Sequence, residues 1–420
     1  MIAARQRRSP GRMAIVTAVA GATMALILGT VVAQSVAGWP GAATLAPQAA
    51  NASSATGSTA PQAALPVGAG PAHMAAPTGF FNGWFVSDQS GWVAVPEPAS
   101  GQAALIKTED GGSTWRSQLT LQFPRLFQRD MSFLDSRHGF VTSLEPAGKV
   151  FKAHLYATSD GVTWVSRSLP ASVSATLGTD FISESDGWII APRTASRGVD
   201  VYRSHDGGRS WSALTGSGLN PIDHIEGVRF SDQQHGWLAG WRPAVPHVTS
   251  ADGPLGTPLL YSTGDGGASW QAHILPSVAG LTFPAAVSFM DTPRFSAGGD
   301  GVAVATIGGN KNASMVSYES RDGGQTWAAT GLVANASAWA TGDAMRVVTA
   351  RQSSLVASTD RGRTAGALTS MAEARRVLSM QFVSSQVGFA FSYSDTTRDV
   401  VLSRTSDGGK SWTLLPALRY

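Results

Sequence analysis

From Phe80 onward, apolar residues fall in short alternating runs broken by polar, Gly-rich turns. Alternation with period two marks half-buried strands, and the turn residues mark where each strand ends. One turn recurs. Ser320-Arg321-Asp322-Gly323-Gly324-Gln325-Thr326-Trp327 has counterparts ending at Trp115, Trp211, Trp270 and Trp412. A copy one residue shorter ends at Trp164, and a decayed copy, Ser358 to Thr364, is followed by Ala365 instead of Trp. The shared acids are Asp110, Asp160, Asp206, Asp265, Asp322, Asp360 and Asp407. They lie 50, 46, 59, 57, 38 and 47 residues apart.

Each residue of the turn has a structural job. The Asp accepts hydrogen bonds from backbone N–H groups just ahead of it. The glycines supply positive φ. The Ser or Thr hydroxyls bond back across the turn, and the Trp starts the next strand with a large apolar surface to bury between sheets. A calcium loop would need several acidic positions and a terminal Glu, whereas these turns share one Asp.

A second pattern precedes each turn: Phe, a few polar residues, then Gly and an aromatic. It runs Phe85…Gly91-Trp92, Phe133…Gly139-Phe140, Phe181…Gly187-Trp188, Phe230…Gly236-Trp237 and Phe382…Gly388-Phe389. In the fifth unit Phe289-Met290-Asp291 takes the Phe position, with a longer turn to Gly301-Val302. The sixth, near Trp339 to Val348, has lost most of the pattern. Four strands at a period of about 45 residues, repeated along the chain, predict an all-β seven-bladed β-propeller of four-stranded antiparallel blades over 79–420. The sixth blade is expected to be the most weakly held.

The paired motifs resemble the Asp-box, or BNR repeat, of sialidases, sortilin-type receptors, xyloglucan-degrading hydrolases and the photosystem II assembly and stability factors. The last group is the most similar. That resemblance implies a non-catalytic propeller that binds membrane-protein subunits, partly through an arginine-rich patch.

The chain ahead of the repeats reads differently. Residues 1–12 carry four arginines and no acid, and residues 13–37 are an uncharged apolar stretch. The expectation is a signal anchor with the arginines cytoplasmic, or a signal peptide cleaved near Ala33 or Ala37. Residues 38–78, rich in Ala, Pro, Gly and Ser, read as a flexible linker. The propeller is then extracytoplasmic and membrane-anchored.

Composition narrows the chemistry. The 420 residues include no Cys, so disulfides and thiolate metal sites are excluded. The eight His are scattered, with no spaced metal pair. No metal or cofactor is expected, and nucleic acid would not suit an extracytoplasmic protein of net charge +3. Tyr156, Tyr202, Tyr261 and Tyr318 each stand four residues before a turn Asp, a repeated strand position that suits packing better than a sialidase nucleophile. Glu97, Glu145, Asp200 and Asp252 lie in or near irregular loops, and nothing in their spacing pairs them as a glycoside hydrolase requires.

Strand parity puts every Asp-box and first turn, with His138 and His235, on one face of the disc. The irregular loops fall on the other, where variable segments on a rigid scaffold carry binding. Arg125, Arg129, Arg193, Arg197, Trp241 and Arg242 are the candidate anchors there, because Arg and Trp dominate binding hot spots. The expected role is a monomeric scaffold for a protein partner or cell-surface polymer. The alternative is a secreted glycoside hydrolase.

Overall fold

The computed structural model describes residues 82–418 apart from short segments at 98–101, 122–129, 148–149, 194–196, 245–248, 251, 310–312, 337, 342–346, 352–353, 371–375 and 394–399. The sequence expectations for residues 1–78 lie outside the described residues.

The described chain is all strand and turn. Five antiparallel sheets have four strands each, in chain order. The first comprises Asn82–Phe85, Gly91–Glu97, Gln102–Thr108 and Arg116–Leu121. The second runs from Met131 to Arg167, the third from Gly178 to Ala213, and the last two from Ala338 to Ser370 and from Arg376 to Leu414. Between the third and the last two lies a ten-stranded sheet, His224 to Val333. Its two halves join where Leu255 and Gly256 pair with Ala286 and Ala285. From Asn82 through both halves of the ten-stranded sheet, and from Ala338 through Arg376 back to Asn82, the first strands of neighbouring sheets touch one another, as they do around the axis of a propeller.

One register recurs. The Gly of each Gly-aromatic pair stands opposite the first residue of the next Asp-box: Gly91 faces Thr108, Gly187 faces Ser204 and Gly388 faces Thr405. Each Asp-box therefore lies at the same end of its sheet as the first turn. The two turns are also stitched together, as Gly111 N donates to Gln89 O and Gly207 N to Ser185 O, both at 2.8 Å.

Inside the turn, the hydroxyl of the first residue accepts from the N–H of the second Gly, as in Gly324 N to Ser320 Oγ at 2.8 Å. The Asp carboxylate accepts the N–H and the hydroxyl of the seventh residue; for Asp322 these are Thr326 N at 2.9 Å and Thr326 Oγ1. Gly111 and Gly112 take φ of 70° and 94°, where a side chain would be strained. The Trp indole N–H closes the loop onto the carbonyl of the second Gly, at 3.1 Å for Trp115 and 3.0 Å for Trp270.

These hydrogen bonds favour the charged carboxylate. Asp206, Asp265 and Asp322 are each held down to about 2, first by the hydroxyl of Ser210, Ser269 and Thr326 respectively. A carboxyl depressed in the folded state adds stability above its ordinary value of 3.8 and loses it as pH falls through about 2. The thermal unfolding midpoint is therefore expected to drop as pH is lowered across that window, with a shallower drop in Asp322→Asn. Parallel profiles for variant and parent would remove the turns as the cause.

The second motif explains the packing between sheets. Where the preceding sheet keeps its aromatic, the motif Phe packs face-on against it: Phe133 on Trp92 at 4.0 Å between centroids, Phe181 on Phe140 at 3.5 Å, Phe230 on Trp188 at 3.7 Å. Its edge meets the Asp-box Trp of its own sheet at about 6 Å, as in Phe133–Trp164, Phe181–Trp211 and Phe230–Trp270. The motif Gly exists for this Phe. A Cβ on Gly91, Gly139 or Gly187 would stand 2.2 Å from the ring of Phe85, Phe133 or Phe181.

In the ten-stranded sheet the motif Phe is Phe295, not Phe289. Phe295 packs on Trp237 at 4.5 Å, meets Trp327 edge-on at 6.0 Å and underlies Gly301. The reason is geometric: a ring six residues before the Gly lies directly beneath it, as in every other copy.

The sheet at 338–370 has lost the whole aromatic unit. At the six-residue spacing stand Thr341 and Val347, and Ala365 replaces the Trp. Its Asp-box reads Asp360-Arg361-Gly362, with Arg361 at φ 62°. That nearly buried guanidinium pairs with Asp300 and with Glu319 of the preceding sheet, and Arg363 also reaches Glu319. An ion pair thus crosses this seam.

The first and last sheets meet, and among the described residues no strand is exchanged between them, since each is built from one continuous segment. Phe85 stacks on Phe389 at 3.7 Å. Gln381 clamps the Phe85 backbone, its Oε1 accepting from Phe85 N at 2.9 Å and its Nε2 donating to Phe85 O at 2.8 Å.

Candidate functional site

The second strand of each sheet runs from the Asp-box end to the opposite end. In the ten-stranded sheet it leaves Gly236 opposite Thr263 and reaches Arg242 opposite Thr257. Arg242 and Trp241 therefore lie at the loop end, and so does Arg193, just beyond the strand Gly187–Pro192.

Both of these arginines are engaged within the fold. Arg193 Nε donates to Asp200 Oδ1 at 2.8 Å, and Arg193 N donates to Gly198 O, closing its hairpin. Arg242 forms a two-pronged pair with Asp223, Nε to Oδ1 at 2.8 Å and Nη2 to Oδ2 at 2.7 Å. Tyr261 Oη donates to the same Asp223 Oδ2 at 2.6 Å, and accepts from Asn220 N at 3.0 Å. The Asp223 side chain is wholly buried, so the guanidinium holds a carboxylate that would otherwise be costly to bury. That pairing, before any other cause, raises the pKa of Arg242.

Trp241 is inside as well. Its Nε1 donates to Glu226 Oε1 at 3.2 Å, and its ring lies 5.0 Å from that of His224. His224 Nε2 is 3.3 Å from the same Glu226 oxygen. Asp223 precedes the first strand His224–Phe230, and Glu226 sits at its distortion between Ile225 and Gly227. Neither acid follows from local spacing, because Asp223 meets Arg242 only through the pairing of His224 with Trp241. Arg197 is exposed on its hairpin. Arg125 and Arg129 lie outside the described residues.

The tyrosines of the third strands are buried or hydrogen-bonded within the fold. Tyr156 Oη donates to Glu145 at 2.9 Å, and Tyr202 Oη bonds Ser172 Oγ at 2.8 Å. Burial, then the bond to Glu145, pushes the Tyr156 hydroxyl up to about 12. Burial also raises Tyr261 and Tyr318, both almost fully enclosed. Glu145 also holds His154 Nε2 at 3.2 Å. Asp200 is taken by Arg193. Asp252 is exposed, and the Glu97 side chain lies outside the described part.

On the Asp-box face, His138 and His235 close their own turns. Their Nδ1 atoms lie 2.9 Å from Asp135 and Asp232, and His138 Nε2 reaches Glu184 of the next sheet at 3.1 Å. Among the described residues no group of three or more His, Asp or Glu side chains is placed to hold a metal ion.

No family model and no curated protein matches the chain. Among solved structures, YCF48 bound to D1 peptide superposes with a TM-score of 0.50 at 18% identity, over 80% of this chain and 96% of that one. YCF48 from Cyanidioschyzon merolae gives 0.47 at 16% identity, over 80% and 98%. A polysaccharide lyase acting on ulvan gives 0.48 at 11% identity, over 80% and 91%. The chain is thus an Asp-box propeller similar in fold to YCF48.

Proposed function

We propose that this chain is a membrane-anchored, extracytoplasmic binding scaffold. Its seven blades, five four-stranded sheets and the two halves of the ten-stranded sheet, display a protein-binding loop face. The observation that carries this reading is the use already made of the motif residues. The Asp, Gly, Phe and Trp side chains build turns and seams, and the third-strand tyrosines are buried or bonded internally. What varies between sheets is the loop end. The YCF48 structure with D1 peptide supports a protein partner for a fold of this kind.

Arg125, Arg129 and Arg197 are the loop-face arginines that this reading puts to the test. The test is capture of partners from membrane extract by the full chain and by Arg125→Glu/Arg129→Glu/Arg197→Glu. Specific capture lost in the triple variant supports the reading. Equal capture by both places contact elsewhere, and turnover of a polysaccharide or sialoside panel would put the hydrolase reading ahead.

A further inference from the structure

Two of the first turns carry a histidine at the same place, His138 after Phe133 and His235 after Phe230. Each closes its own turn, with Nδ1 2.9 Å from Asp135 or Asp232. The two differ in what lies beyond. His138 Nε2 is 3.1 Å from Glu184 Oε1, in the first turn of the third sheet. Among the described residues, His235 is paired with Asp232 alone.

The two contacts of His138 place opposite demands on a neutral ring. A neutral imidazole has one N–H and one lone pair. With the proton on Nδ1, the Nε2 lone pair faces Glu184. With the proton on Nε2, the Nδ1 lone pair faces Asp135. Only the imidazolium carries an N–H at both positions and satisfies both acids. Asp135 meets it as the anion. Burial works against that charge, but bonds from the His138 ring and from Arg137 N and His138 N hold the carboxyl below its ordinary value.

Most other charged groups near these turns have partners of their own. Lys107 of the first sheet, whose Nζ reaches the turn at 136–137, pairs with Glu109 at 2.8 Å. Asp160 accepts from Val162 N and Thr163 N. Arg167 lies over the Phe140 ring at 5.9 Å and reaches the backbone beside Gly207. Asp186, in the same turn as Glu184, holds His205 Nδ1 at 2.7 Å and stands 3.8 Å from Arg203. Arg137, beside His138, is exposed.

We propose that His138 is a proton-operated clasp between the second and third sheets. Charged, it ties Asp135 to Glu184 across the seam. Uncharged, it stays with Asp135, which two backbone N–H groups already fix, and releases Glu184. Imidazoles change charge between about pH 5 and 8, so the tie is complete at the acid end of that range and is lost as pH rises through it. The clasp lies on the Asp-box face, and its test does not depend on the loop-face scaffold reading.

That test is hydrogen exchange of the full chain at about pH 5.5 and about pH 8, the two sides of the imidazole range, read as protection factors. The probes are the amides of Leu134 and Ile182, which bond His138 O and Asp186 O at 3.0 Å. Both are expected to be better protected on the acid side by about two- to fivefold, as for a partly exposed ion pair. His138→Gln and Glu184→Gln should each abolish the difference. Glu184 is 67% exposed, so its replacement leaves the fold intact. His235→Gln, which removes the same turn contact without a crossing one, should keep the difference. The proposal is overturned if the parent shows no difference, if Glu184→Gln retains it, or if His235→Gln abolishes it.

Discussion

Phe230→Ala is expected to destabilise the propeller by about 3–5 kcal/mol, the range for removing a buried aromatic side chain. Phe230 is 4% exposed and lies between Trp188 of the third sheet and Trp270 of its own. Its loss forfeits two aromatic contacts and leaves a gap that a rigid sheet cannot close. The same ring is why Gly236 carries no side chain, since a Cβ there would come within 2.5 Å of it. Urea denaturation of parent and variant is the measurement. A cost below about 1 kcal/mol would mean that the stacked rings are not what holds the sheets together.

Glu319→Gln is expected to cost about 3 kcal/mol, the low end for removing one partner of a buried ion pair. Glu319 receives Arg361 and Arg363, and the Arg361 side chain is 9% exposed. Without Glu319, Arg361 keeps only Asp300. Arg361 also holds positive φ, a strained backbone for a residue with a side chain. Hydrogen exchange should accelerate in 338–370 more than in the other sheets. Uniform acceleration, or none, would show that this seam depends instead on its apolar residues, such as Val304 and Met315 against Trp339.

The turns were legible because their chemistry is local. Asp322, Gly324, Thr326 and Trp327 bond to one another within eight residues, so spacing alone displays the loop. Strand parity then placed the Asp-boxes beside the first turns, as the recurring register shows. Phe295 was missed because Phe289-Met290-Asp291 matches in composition. The better signal was distance: six residues separate Phe from Gly in the other intact copies and separate Phe295 from Gly301. Arg242 and Trp241 looked like free anchors because their acids lie elsewhere in sequence. Asp223 is 19 residues from Arg242, and only the sheet brings the pair together.

The seam at Phe85 and Gln381 bears on how such a ring can grow. Where the ends of a chain share a sheet, adding a repeat splits a hydrogen-bonded ladder. Here each terminal sheet is complete, and the closing contacts include a ring stack, one amide clamp and the Arg404–Asp88 pair. A duplication that appended a whole repeat at either end would leave every ladder intact. It would need only another Phe and another Gly-aromatic pair to extend the stack. The number of repeats in this architecture is therefore open to change by gene events that alter no existing strand.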